Sequence, residues 1–362
     1  MEKSYRKKIR LGSCLIVLLG AAVILAGCSP PNNRLAEELT IYNWEGDFPQ
    51  SLLDAFTAEY GVKINYVTYE SQEEAIENMR AGEVYDMVNL ESRFLPLLIE
   101  EGLLAELDYA NILNFKNISP NFRDLTYDPD NLYSIPYSWG TTGLIVRTDL
   151  VESPVTRWED LWDEQYEGKA AIWIGQPRET LALALKSLGY SANSENPAEL
   201  EAALKKLIAL KPKLRFLEDY DPETAVPALA SEEVVVAIGY SGDYQTGLEM
   251  GLAVEYVMPE EGALLWGDNF VIPANSPNKY TAELFINFLL RPEISAEIVN
   301  QKYYASANDA ARAFVDPAIL NNPSIYPSQT MLQNAEIILP LSAQGQKLYD
   351  EIWQRFLDAE AR

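Results

Sequence analysis

The sequence predicts an α/β protein of two domains, and three observations carry that expectation. Residues 39–90 alternate short β-branched or aromatic runs with runs of helical period. The chain has 362 residues, more than twice the roughly 150 of a usual domain. Its composition, 48% hydrophobic against 23% charged, supplies an ordinary folded core and is too apolar for a disordered chain.

The elements follow in order. LTIYNW (39–44) reads as a strand and SLLDAFTAEY (51–60) as a helix with Leu52, Leu53, Phe56 and Tyr60 on one face, ended by Gly61. KINYVTY (63–69) is a second strand, EEAIENMRAGEVYD (73–86) a second helical stretch and MVNL (87–90) a third strand. A tryptophan-rich segment occupies 156–175, a helix runs from about Glu179 to Leu188 before Gly189, and a charged helix covers 197–210. EEVVVAIGY (232–240) is a buried strand, and 254–273 holds two strands around a glycine turn. One helix is expected over 281–301, and an amphipathic one over 344–361.

Charge and residue usage exclude several functions. With 28 basic and 54 acidic residues the net charge is −26, and beyond Gly27 there are 23 basic against 53 acidic. Such a chain is repelled by nucleic acid and anionic lipid. Histidine is absent, which removes histidine bases, catalytic triads and histidine-ligated zinc or haem. Two cysteines, Cys14 and Cys28, are too few for a four-cysteine metal site, and their spacing is not that of a CxxC pair. No Walker A sequence and no G-x-G occurs. Carboxylate chemistry or binding remains, with no cofactor and no metal.

The amino terminus carries Lys3, Arg6, Lys7, Lys8 and Arg10 before an almost wholly apolar run over 11–26. This is the pattern of a signal peptide over 1–27. Leu25-Ala26-Gly27-Cys28 resembles the lipobox of bacterial lipoproteins, which implies lipidation of Cys28, a tether over 28–38 and attachment to the outer face of the cell membrane. An uncleaved anchor is the alternative, for which the run is slightly short of the roughly 20 residues of a span.

Beyond Leu39 the chain resembles the spermidine/putrescine-binding proteins of ABC importers. The resemblance is carried by Tyr42-Asn43-Trp44, Thr68-Tyr69-Glu70-Ser71, Tyr85-Asp86, the run from Tyr133 to Gly140, Trp158-Glu159-Asp160-Leu161-Trp162, Arg178-Glu179, Trp266-Gly267-Asp268, Ile272-Pro273-Ala274-Asn275 and the run from Asn287 to Pro292. It implies a type II periplasmic-binding-protein fold, with two lobes, a ligand cleft and hinge crossovers. The first lobe would take 39–141 and 267–310, the second 142–266 and 311–362. It also implies a monomeric extracytoplasmic protein that delivers ligand to ABC permease subunits and is not an enzyme.

A polyamine is a methylene chain punctuated by ammonium groups, so its site needs aromatic walls and spaced carboxylates. The resemblance places Trp44, Glu179, Trp266 and Asp268 in the cleft, with Tyr240 where the family has another tryptophan. Glu179 and Asp268 would anchor ammonium groups; Trp44, Tyr240 and Trp266 would form an aromatic slot. Each residue also has an ordinary structural reading: packing for the tryptophans, helix-end preference for Glu179, a turn for Asp268. Trp139 and Tyr304 are weaker candidates.

Departures from the family matter as much. Gly46 occupies the place of an acid in Trp44-Glu45-Gly46-Asp47, which Glu45 or Asp47 would supply instead by a local shift. Gln176 replaces an acid three residues before Glu179. Glu91 and Arg93 replace a serine and a tyrosine, and Arg93 would repel an ammonium unless an acid such as Glu91 pairs with it. Either Arg93 faces solvent and the site favours a diamine, or Arg93 receives a ligand carboxylate and the ligand is an amino acid or other zwitterion. A secreted hydrolase with two carboxyls about 5–9.5 Å apart, and a tethered structural protein without ligand, are the readings from other classes.

Overall fold

Three strands and two helices open the fold in the expected order. In the computed structural model, which describes residues 34–217 and 222–359, these are β1 (Glu38–Asn43), α1 (Gln50–Tyr60), β2 (Lys63–Thr68), α2 (Gln72–Ala81) and β3 (Met87–Glu91). β1 pairs in parallel with β2 on one side and β3 on the other. α1 buries Leu52, Leu53 and Phe56, the face its spacing predicts. α2 is capped by Ser71, whose side chain accepts the Glu74 amide at 3.1 Å.

After the short α3 (Leu95–Glu100) comes β4 (Ser134–Arg147), the longest strand described. It has no counterpart in the sequence expectation, because Pro136 and Gly140 interrupt the β pattern; the register shifts between Pro136 and Ser138. β5 (Ala170–Trp173), α4 (Pro177–Ser187), α5 (Pro197–Leu210), β6 (Leu214–Leu217), α6 (Pro222–Ala230), β7 (Val236–Tyr240), α7 (Ser241–Glu249), β8 (Val254–Val257) and β9 (Leu264–Val271) follow. The single helix expected over 281–301 is two, α8 (Lys279–Leu289) and α9 (Pro292–Lys302). Pro292 cannot donate to a continuing ladder, and it holds Arg291 extended at φ −64°, ψ 136°. The chain closes with β10 (Ala305–Ser306), α10 (Pro317–Leu320), β11 (Glu336–Ile337) and α11 (Ala343–Asp358).

Among the described residues the strands form one mixed sheet in the order β2-β1-β3-β9-β4-β7-β5-β6, with β8 and β10 added on β4 and β11 on β9. Its apolar faces divide into separate cores. One gathers Leu144, Ile172, Leu183, Leu204, Ile238, Leu264, Ile352 and Phe356. Another gathers Leu39, Phe56, Met87, Ile135, Phe270, Phe285 and Phe288, with Tyr42, Val88, Leu90 and Val271 in a neighbouring cluster. β4 and β9 belong to both sides. Ile135 and Phe270 pack in the second core, Leu144 and Leu264 in the first, and the two strands pair antiparallel from Ser134 to Thr142 of β4. The tryptophan-rich segment is core: Trp158 and Trp173 are fully buried.

The expected signal peptide and Cys28 lie outside the described residues. Among the described residues no helix is long and apolar enough to cross a membrane.

Candidate functional site

The strands that run between the cores bring charged residues together where they cross. Asp268 on β9 is the antiparallel partner of Glu91 on β3 and of Ser138 on β4. Gln72 of α2 stitches the first pair, donating to Asp268 at 3.5 Å and accepting the Glu91 amide at 2.7 Å. Glu179 enters from the first turn of α4, behind Pro177 at the helix start. Its two oxygens accept from Thr142 at 2.7 Å and Tyr240 at 2.9 Å. Those donors are themselves partners across β4 and β7, so one cross-strand pair holds the whole carboxylate.

Electrostatics mark this cluster as short of positive charge. Burial pushes the Glu179 carboxyl up to about 7; the Glu91 charge adds to the rise, while Thr142, Tyr240 and Arg93 oppose it. Asp268 is pushed well above the usual carboxylate range by removal from water, with the charges of Glu91 and Asp47 adding to the shift. Neither Glu179 nor Asp268 forms an ion pair among the described residues; the pairs near them belong to Arg93 and Lys302.

Arg93 does not turn to solvent. Its side chain is 16% exposed, its Nε donates to Glu91 at 2.7 Å, and its guanidinium lies 4.4 Å from the Phe94 ring centre. Glu73 stands 3.9 Å from its Nη2. Glu91 thus neutralises Arg93.

Of the two acids offered around Gly46, the fold turns Asp47 inward and leaves Glu45 exposed. Gly46 adopts φ 63°, a left-handed turn that other residues rarely take. Asp47 accepts from Asn43 at 2.9 Å and from Tyr137 at 3.2 Å, with Lys302 Nζ at 3.9 Å. Burial raises its carboxyl, and Lys302, Asn43 and Tyr137 oppose the rise. Trp44 packs edge-on to Tyr69 with ring centres 4.6 Å apart.

Aromatic rings line the crossing. Tyr240 lies between Trp173, at 4.8 Å, and Trp266, at 5.6 Å, and Trp266 meets Tyr304 edge to face at 5.1 Å. Gly140, opposite Trp266 on β4, is required here: a Cβ on it would overlap the indole. Gly140→Ala is therefore expected to displace Trp266, to cost about 1–3 kcal/mol of stability by overpacking, and to weaken ligand binding. Unfolding midpoints and a binding titration on the one variant check both effects.

Other candidates fall elsewhere or in support. Trp139 packs 5.5 Å from Phe122. Gln176 precedes α4 without capping it. Gln72, Thr142 and Lys302 escaped the sequence reading, since uncharged polar residues and a helix-end lysine carry no motif, and Tyr137 entered it only as part of the run from Tyr133 to Gly140. Among the described residues no group of three or more acids or cysteines is arranged to hold a metal ion.

Comparison with known proteins places this architecture. Residues 51–326 match the model of the bacterial extracellular solute-binding protein family. The spermidine/putrescine-binding periplasmic protein of Escherichia coli (strain K12) is 33% identical over 341 residues, covering 93% of this chain and 97% of that protein. The putrescine-binding periplasmic protein SpuD of Pseudomonas aeruginosa (strain UCBPP-PA14) is 32% identical, covering 96% of this chain and 98% of that protein. Among solved structures, the putative spermidine/putrescine ABC transporter protein of Listeria monocytogenes superposes with a TM-score of 0.82 at 33% identity, covering 90% of this chain and 100% of that one. With this family and these relatives the hydrolase reading falls. The chain belongs to the bacterial extracellular solute-binding proteins of ABC transporters, in their two-lobed spermidine/putrescine-binding branch, a family that binds solutes and does not transform them.

Proposed function

We propose that this protein captures a polyamine of diamine length for an ABC importer, in the slot formed by Trp44, Asp47, Glu91, Arg93, Glu179, Tyr240, Trp266 and Asp268. The observation that carries the reading is a charge count. Asp47, Glu91, Glu179 and Asp268 converge on the crossing, and among the described residues only Asp47 and Glu91 have cations within 4 Å there. Two carboxylates remain for two ammonium groups, whose desolvation they offset. Tyr240 and Trp266 supply faces for the methylene stem and for cation–π attraction of about 0.5–2 kcal/mol each. Glu45, exposed, stands outside this set.

The two separate cores support a division into lobes close to 39–141 with 267–310 and 142–266 with 311–362, β4 and β9 forming the hinge. Ala311, Val315, Ile319 and Ile325 pack with Ala296 and Val299, so the return to the second lobe follows Ile325. Contacts between Ser241 and the Tyr303 carbonyl, at 3.0 Å, join the lobes beside the slot. Lipidation of Cys28, a monomeric state and docking on a permease complete the proposal. They rest on the lipobox resemblance and on the family.

One observation favours a second reading, an amino acid or other zwitterion. The buried indole N–H of Trp266 has no acceptor among the described residues, and a ligand carboxylate would provide one. Against it, Arg93, the residue meant to receive that carboxylate, is already engaged by Glu91.

The test is a melting series with putrescine, spermidine, spermine, amino acids and small sugars. Putrescine at 100 times its dissociation constant is expected to add about 2.7 kcal/mol, a rise of a few degrees. A shift with amino acids alone would replace the polyamine reading by the zwitterion one.

A further inference from the structure

Lys302 closes the last turn of α9, far in sequence from Asp47, the acid it meets. Its Nζ stands 3.9 Å from Asp47 Oδ1, and its side chain is only 26% exposed. Beside it lies a small cavity bounded by Tyr137, Ser138, Tyr304 and Ser306, with room for about one water molecule. Two of its walls contact slot residues: Tyr137 donates to Asp47, and Tyr304 packs on Trp266. The Asp47 charge in turn acts on Asp268. A further carboxylate thus stands next to the ligand anchors, and the protein already supplies its ammonium.

We propose that Lys302 is a specificity-determining residue that restricts the site to diamines, because its ammonium holds at Asp47 the place that the third ammonium of a triamine would take. The inference rests on the polyamine reading above and deepens it. A second cation brought to Asp47 would meet Lys302 at close range in a partly desolvated pocket, where like charges repel strongly. Without Lys302, Asp47 would be a buried acid with hydrogen bonds from Asn43 and Tyr137 but no cation, which a ligand ammonium would satisfy.

Calorimetric titration of putrescine and spermidine into the wild-type and Lys302→Met proteins, at about pH 8, tests this. Methionine keeps a flexible apolar stem and removes the charge. The wild type is expected to prefer putrescine. In Lys302→Met the spermidine affinity should gain about tenfold relative to putrescine, and adding Asp47→Asn should cancel the gain. Lys302→Arg, which keeps the charge, should retain the wild-type preference. An unchanged ratio in Lys302→Met, in a wild-type background that binds putrescine, overturns the role of Lys302 and leaves the polyamine reading standing. A shift in Lys302→Arg as large as in Lys302→Met overturns it too, since shape and not charge would then set the preference. A wild type that binds neither amine overturns the polyamine reading and this inference with it.

Discussion

Glu179→Gln and Asp268→Asn should each weaken diamine binding by about 30-fold or more. Removing one partner of a buried, hydrogen-bonded charge pair costs about 2–5 kcal/mol, because the other charge stays desolvated and unpaired. Both carboxylates meet that description in the proposed complex. Glu179 is 6% exposed and fixed by Thr142 and Tyr240, and Asp268 is oriented by Gln72. The empty protein responds in the opposite sense, since a buried carboxylate without a cation opposes folding when ionised. Both variants should therefore remain folded, so that lost binding reports on the ligand contact. Isothermal titration with putrescine measures the effect. Losses below about fivefold in both variants would remove these acids from the anchor role.

Binding should also weaken as pH falls through neutrality, although the amine ligand stays fully charged there. In the empty slot Glu179 titrates near 7 and Asp268 well above its ordinary range. An incoming ammonium needs the ionised forms, so association must expel protons. From pH 8 to pH 6, Glu179 alone should lower the affinity about tenfold, and Asp268 should add to the loss. Titrations in two buffers of different ionisation enthalpy measure the released protons. A pH-independent affinity with no proton release would contradict the site.

The same shift sets the stability of the empty protein, with a definite sign. The Glu179 carboxyl rises on folding from 4.5 to about 7, so its contribution is full below about 4.5 and is lost as pH rises through 7. That contribution is on the order of 3 kcal/mol. The unliganded melting temperature should accordingly fall between pH 5 and pH 8, and Glu179→Gln should flatten the fall.

Much of the fold was legible because local patterns reported it directly. The apolar face Leu52, Leu53 and Phe56 marks α1 wherever it packs, and the alternation of strand and helix over 39–90 already implies parallel pairing. β4 was not legible, since a strand broken by Pro136 is held by its neighbours β9, β7 and β8 more than by its own residues. Pro292 was visible, but its break between α8 and α9 was lost within a continuous apolar pattern. In the candidate site the aromatic and acidic types could be named from the chain, whereas their partners could not. Gln72 meets Asp268 across 196 residues, and Lys302 meets Asp47 across 255.

By itself the sequence determined the class of this protein: an acidic, histidine-free α/β chain with the marks of a solute-binding family, unable to run histidine or cysteine chemistry. Only the tertiary structure decided the charge balance of the slot. It paired Arg93 with Glu91, turned Asp47 inward and Glu45 outward, brought Lys302 beside Asp47, and left Glu179 and Asp268 without cations within ion-pair distance among the described residues. The reason is physical. Residue type and order set which charges a chain carries, while neutralisation depends on distance and on removal from water, and both arise only when segments far apart in sequence pack together.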